Sequence, residues 1–120
     1  MNEPGALVWN DLQTGDRAAA NAFYSAVFGW TQQAFGHTYD IQQVGGEGIG
    51  GIGQADSAPD GAHGWQVYFA VADADATAAN SVELGGEIVS EPADFPYGRD
   101  TLLRDPQGVE FHALCPRPIE

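Results

Sequence analysis

"TGDRAAANAFYSAVFGW", residues 14–30, reads as one helix with both of its ends written into it. Asp16 is a natural N-cap, since its carboxylate can accept from the unbonded amides of the first turn. Gly29 tolerates the left-handed backbone that closes a helix. Between them Ala19, Phe23 and Val27 recur at i, i+4, with Ala20, Tyr24 and Phe28 beside them, the spacing of an apolar face. The stretch before it, "ALVWNDLQ" (6–13), is a strand candidate, and "WTQQAF", "TYDIQQV" and the glycine-rich "EGIGGIGQ" (47–54) predict three short strands after it. Turns fall at Gly36–His37 and Gly45–Gly46.

The same order returns after "ADSAPDGAHG" (55–64), which has linker composition. "WQVYFAV" (65–71) is a strand rich in β-branched and aromatic residues. "DADATAANSVEL" (73–84) is a shorter helix stopped by Gly85 and Gly86, followed by a strand "EIVS", a Pro-containing loop "EPADFPYG" and two more strands, "RDTLLRDP" and "GVEFHALC". Asp16 to Gly29 spans 13 residues and Asp73 to Gly86 also spans 13, an offset of 57 between the halves. The element order is βαβββ twice, which predicts an α+β fold: one domain over 1–120 with modules at 1–56 and 63–120.

The last hairpin, "LLRDPQGVEFHAL" (102–114), carries the most chemistry. Asp105, Pro106, Gln107 and Gly108 make a tight turn, with proline presetting φ and glycine closing it. Beyond the turn Val109, Phe111 and Ala113 point one way and read as core. Glu110, His112 and Leu114 point the other way, because strand side chains alternate. That second face is either solvent or a site.

Composition bounds the function. Four arginines, no lysine and 17 acidic residues give a net charge of −13. Phosphate binding needs a basic patch, so nucleic acid is excluded as a partner, and anionic membrane surfaces are disfavoured too. The acidity suits solubility, or attraction of cationic ligands. The single cysteine, Cys115, has no internal disulfide partner, as expected in a reducing compartment, and no base motif lies beside it. "MNEPGALVW" has neither a basic n-region nor a long apolar run, so neither a signal peptide nor a membrane span is read here and a cytoplasmic location is expected.

Two stretches together, "DLQTGDRAAANAFYSAVFGW" and "LLRDPQGVEFHAL", resemble the vicinal oxygen chelate superfamily of glyoxalases, bleomycin-resistance proteins and extradiol dioxygenases. The resemblance runs from about Gly5 to Leu114. It implies two βαβββ modules whose mixed sheet curls around a shared cleft with helices outside, and a homodimer. It also implies four positions where metal-bearing members place ligands. Here they read Trp9, a position near Gly51, Gln66 and His112. A transition metal needs three or four His or carboxylate ligands, and an indole N–H is a donor only. No metal and no other cofactor is therefore expected.

Strand parity then assigns Trp9, Asp11 and Gln13, Gln66, Tyr68 and Ala70, and Glu110, His112 and Leu114 to the cleft of such a fold. That mixture of aromatic surface and a few polar groups suits an organic ligand. The glycines of 47–54 either leave room for it or curve their strand. The loop "FPYGRD" (95–100), with Phe95, Tyr97 and Arg99, either covers the cleft mouth or is an ordinary connection. Trp9 and Trp65 are core residues or ligand platforms. Trp30 is expected in the core, and His37 and His63 on the surface. The expected function is metal-independent binding of a small molecule, an aromatic or cationic natural product or antibiotic, as bleomycin-resistance proteins do. The alternatives are a metal-dependent lyase, isomerase or dioxygenase, and a cofactor-free enzyme using His112 as acid or base.

Overall fold

A computed structural model describes residues 3–54 and 64–117. Its elements run β1 (Leu7–Thr14), α1 (Arg17–Phe28), β2 (Thr31–Ala34), β3 (Tyr39–Val44), β4 (Glu47–Gln54), β5 (Gly64–Ala70), α2 (Ala74–Glu83), β6 (Glu87–Phe95), β7 (Gly98–Arg104) and β8 (Glu110–Pro116). This is βαβββ twice, an α+β fold. The linker-like 55–63, His63 included, lies outside the described residues. The chain divides into two compact units: Trp9–Trp65, and the chain from Gln66 onward together with the stretch up to Val8.

In the Trp9–Trp65 unit the strands run β2-β3-β4-β1. β4 is parallel to β1 (Asp11 opposite Gly51, Gln13 opposite Gly53) and the other pairings are antiparallel. Helix α1 begins as its sequence dictates: the Asp16 carboxylate accepts from the Ala19 amide, and Gly29 closes the helix at φ +76°.

The helix faces the other way from its apolar spacing. No residue of α1 is buried, and Phe23 and Val27 are 59% and 53% exposed. Its opposite stripe, Arg17, Asn21 and Ser25, turns toward the sheet. Asp40 of β3 accepts from Arg17 Nη1 (2.6 Å) and Asn21 Nδ2 (2.7 Å). The fully buried Gln42 donates to Asn21 Oδ1 (2.9 Å) and accepts from Gln32 Nε2 (2.8 Å), which also donates to Ser25 Oγ. An unsatisfied buried amide costs about 1–3 kcal/mol, so Gln42 and Asp40 select the polar stripe of the helix as their cover.

In the other unit the order is β6-β7-β8-β5, with β5 parallel to β8 and the amides of Gly5 and Ala70 tying the N-terminal stretch to β5. Here the helix side is apolar: Ala78 of α2 packs on Leu103 and Ala113, with Val71, Ile88 and Phe111 around them. The Asp73 cap holds as expected, accepting from the Ala76 amide. The left-handed glycine is Gly85 (φ +95°) rather than Gly86, so the equal 13-residue spacings do not join equivalent glycines. The predicted loop 91–98 is mostly strand. β6 runs through Pro92 to Phe95 because it is an outer strand, bulged at two places, where a missing N–H breaks no ladder bond. The Asp105–Gly108 turn forms as read, its carboxylate accepting from the Gln107 and Val109 amides. Val109, expected in the core, is 60% exposed because β8 begins only at Glu110.

Candidate functional site

Each unit carries a polar and aromatic cluster on the sheet face turned away from its helix. In the Trp9–Trp65 unit, alternation along β1 puts Trp9, Asp11 and Gln13 on that face, as the sequence predicts. The Asp11 carboxylate accepts from the Tyr39 hydroxyl (2.5 Å) and from the Trp9 indole N–H (3.0 Å), which it shares with the Tyr39 oxygen (3.0 Å). Three glycines make room for these rings. A Cβ at Gly48 would touch the Trp9 ring at 3.6 Å, one at Gly53 would crowd the Gln13 amide, and one at Gly51 would overlap the Tyr39 hydroxyl. The glycine-rich strand does leave space, and the chain's own aromatic rings fill much of it.

Burial, and then the Asp11 carboxylate, push the Tyr39 hydroxyl above the ordinary tyrosine range. An exposed tyrosine ionises near pH 10 or so. Raised in the folded state, the Tyr39 proton is retained where an exposed tyrosine would lose its own, and its contribution to stability is lost only as pH rises beyond the ordinary value. Replacing Tyr39 by phenylalanine is therefore expected to leave the 295 nm absorbance change up to about pH 11 unaltered. A smaller absorbance change in the variant would show Tyr39 to be an ordinary phenol.

In the second unit Gln66 and Tyr68 of β5 share a face with His112 of β8, Tyr68 directly opposite His112. His112 is buried at 8% exposure, with its ring stacked on Tyr68 at 4.0 Å between centroids. Nδ1 lies 2.7 Å from Asp100 Oδ2 and Nε2 lies 2.8 Å from Gln66 Oε1. A neutral ring donates from Nδ1 to Asp100 and accepts at Nε2 from the Gln66 amide turned to present its NH₂. An imidazolium donates to both as placed. Either way both nitrogens are engaged, so His112 is held in one orientation and has no nitrogen left over to take a substrate proton. The other Asp100 oxygen, Oδ1, is buried without a hydrogen-bond partner among the described residues.

Two predicted site residues, Arg99 and Tyr97, lie elsewhere, and a third, Glu110, is taken up by an ion pair. Arg99 is opposite Cys115 on the α2 side of the sheet, where it pairs with Asp75 (2.8 Å) and Asp94 (3.1 Å). It is displaced because the β6–β7 hairpin fixes Asp100, not Arg99, on the His112 face. Glu110 shares the His112 face but is bound to Arg104 at 2.7 Å. Tyr97 is 58% exposed in the hairpin turn, edge-on to Phe95, and the turn is a strand connection rather than a covering loop. Trp30 leaves the core as well, stacking on Tyr24 and Phe28, and Trp65 is 38% exposed, donating to the Tyr24 hydroxyl. His37 sits in a turn, its carbonyl accepting from Arg17. Cys115 Sγ lies 3.4 Å from the Ala72 carbonyl, to which it donates.

The donor set does not suit a transition metal. Among the described residues no three His, Cys, Asp or Glu side chains converge to hold one. Of the four positions implied by the resemblance, Trp9 is a donor, Gly51 is covered by Tyr39, and Gln66 and His112 are bonded to each other.

The family model for the glyoxalase-like domain matches residues 8–114. The chain belongs to that family. Within it, CFP32 of Mycobacterium tuberculosis, named as a glyoxylase, is 44% identical over 123 residues, covering 98% of this chain and 47% of its own length. The anthracycline biosynthesis protein DnrV of Streptomyces peucetius is 37% identical over 114 residues, covering 92% and 42%. This glyoxalase-like chain thus spans about half the length of the curated relatives it matches. Its fold is that of the vicinal oxygen chelate superfamily. Methylmalonyl-CoA epimerase from M. tuberculosis superposes with a TM-score of 0.62 at 18% identity, over 94% of this chain and 89% of that one. No helix among the described residues is long and apolar enough to cross a membrane.

Proposed function

We propose that this glyoxalase-like chain binds a small conjugated organic molecule, without a metal ion, on the polar and aromatic face of the Trp9–Trp65 unit that carries Trp9. One observation carries the reading: where metal-bearing relatives of the fold would need ligands, this chain has an indole, a glycine covered by the Tyr39 ring, and an amide bonded to an imidazole. Aromatic rings and amides bind organic ligands by stacking and by directed hydrogen bonds. The net charge of −13 favours a ligand that carries a cation. The relative named for anthracycline biosynthesis suggests the ligand class, a natural product with a planar aromatic system. His112 as general base is the weaker reading, because both of its nitrogens are engaged.

Calorimetric titration with doxorubicin, an anthracycline bearing a protonated amine, tests this directly. We expect one site per chain, unchanged by prior dialysis against a chelator, and weakened about tenfold in Trp9→Ala, the loss of one stacking contact. Consumption of the compound, or binding restored only by an added divalent metal, would support an enzyme instead.

A further inference from the structure

The face that carries Trp9 spends most of its hydrogen-bonding groups on itself. The Trp9 indole N–H and the Tyr39 hydroxyl both donate to Asp11. Gln33 of β2, in register with Ile41, Gly51 and Asp11, accepts from Gln43 Nε2 at 2.9 Å. Gln13 is different. Its residue is partly buried, yet its side-chain amide has no hydrogen-bond partner among the described residues.

Strand register places that amide. Gln13 of β1 lies opposite Gly53 of β4, and Gly53 lies opposite Tyr39 of β3. With no side chain between them, the Gln13 amide and the Tyr39 ring converge on the same spot. A Cβ at Gly53 would meet Gln13 Nε2 at 3.0 Å, Tyr39 Cδ1 at 3.2 Å and Gln13 Oε1 at 3.3 Å. The amide therefore lies over the glycine beside the edge of the ring, in the space that any side chain at position 53 would fill. A primary amide offers two N–H donors on one atom and two acceptor lone pairs on its neighbour. No bond fixes which way round it lies, so it can turn to suit a ligand.

We propose that Gln13 is the specificity-determining residue of this face, selecting a conjugated ligand that carries a carbonyl with an O–H or N–H group beside it. The proposal rests on the ligand-binding reading above and adds what the ligand must present. A molecule stacked on this face takes water away from the Gln13 amide. A carbonyl with a neighbouring donor replaces both of the lost hydrogen bonds. A plain aromatic edge leaves the amide unpaired, and a site built to hydrogen-bond its ligand discriminates by that cost. Trp9 and Tyr39 do not discriminate in this way, because their N–H and O–H are already committed to Asp11.

Calorimetric titration with two conjugated cations tests the proposal. Doxorubicin carries quinone carbonyls beside phenolic hydroxyls, and methylene blue has no carbonyl, O–H or N–H group. Gln13→Met keeps the length of the side chain and removes its amide. The variant is expected to bind doxorubicin about tenfold more weakly than wild type, the loss of a pair of hydrogen bonds, and to bind methylene blue as wild type does. Its melting temperature should be unchanged, since the Gln13 amide bonds nothing among the described residues. Gln13→Leu gives the answer should Gln13→Met lose its fold. Equal effects on both dyes, no effect on doxorubicin, or a wild type that prefers methylene blue overturns the proposal and leaves the ligand-binding reading standing. A wild type that binds neither dye overturns both.

Discussion

Replacing Gly51 by alanine is expected to lower the stability of the protein by about 3 kcal/mol, a drop in melting temperature of about 10 °C for a chain of this size. The added Cβ would overlap the Tyr39 hydroxyl and crowd its ring carbons, so the ring must leave its place rather than shift slightly. Leaving breaks the Tyr39–Asp11 and Trp9–Tyr39 hydrogen bonds together, and a hydrogen bond to a charged group contributes about 1.5–3 kcal/mol. The cause is separable by a double-mutant cycle. With Tyr39→Ala in place, Gly51→Ala should cost well under 1 kcal/mol, because nothing remains for the methyl group to displace. Equal costs in both backgrounds would mean that glycine is needed there for its backbone alone.

The second large effect is at His112. Its removal in His112→Ala strands Asp100, whose Oδ1 already lacks a partner among the described residues and whose Oδ2 is bonded to the imidazole. Breaking a buried pair from one side costs about 3–5 kcal/mol, and the Asp100 side chain, 22% exposed, recovers part of that from water. A loss of about 2–3 kcal/mol is expected in chemical denaturation, including the stacking on Tyr68. Adding Asp100→Ala should recover about 1 kcal/mol or more, since no carboxylate is then left unpaired. A histidine that served only as an exposed wall for a ligand would leave denaturation unchanged and alter affinity alone.

Much of this was legible from the residues. The caps at Asp16 and Asp73, the DPQG turn and the repeated element order follow from local rules that tertiary context did not override. Parity correctly grouped Trp9 with Asp11, and Gln66 with Tyr68, because alternation within a strand needs no knowledge of its partner, whereas placing Tyr68 on the face of His112 came from the positions the family resemblance implies. Asp100 was within reach too. The DPQG turn sets Arg104 opposite Glu110, and counting back along the hairpin puts Asp100 opposite Leu114, on the His112 face.

Tyr39 was not within reach. Counting from the Gly45–Gly46 turn assigns it to the wrong face, because a bulge between Gln42 and Gln43 slips the β3–β4 register by one. A one-residue slip exchanges the faces, and no local signal announces it. The orientation of α1 was hidden in the same way. Apolar spacing finds the stripe of Phe23 and Val27, but the side that meets the sheet is set by what the sheet presents. Here β3 presents Asp40 and Gln42, whose burial demands hydrogen-bonding partners. Local sequence determined where the elements begin, end and alternate. Only the tertiary structure decided which faces meet, since that choice depends on satisfying polar groups far apart in the chain.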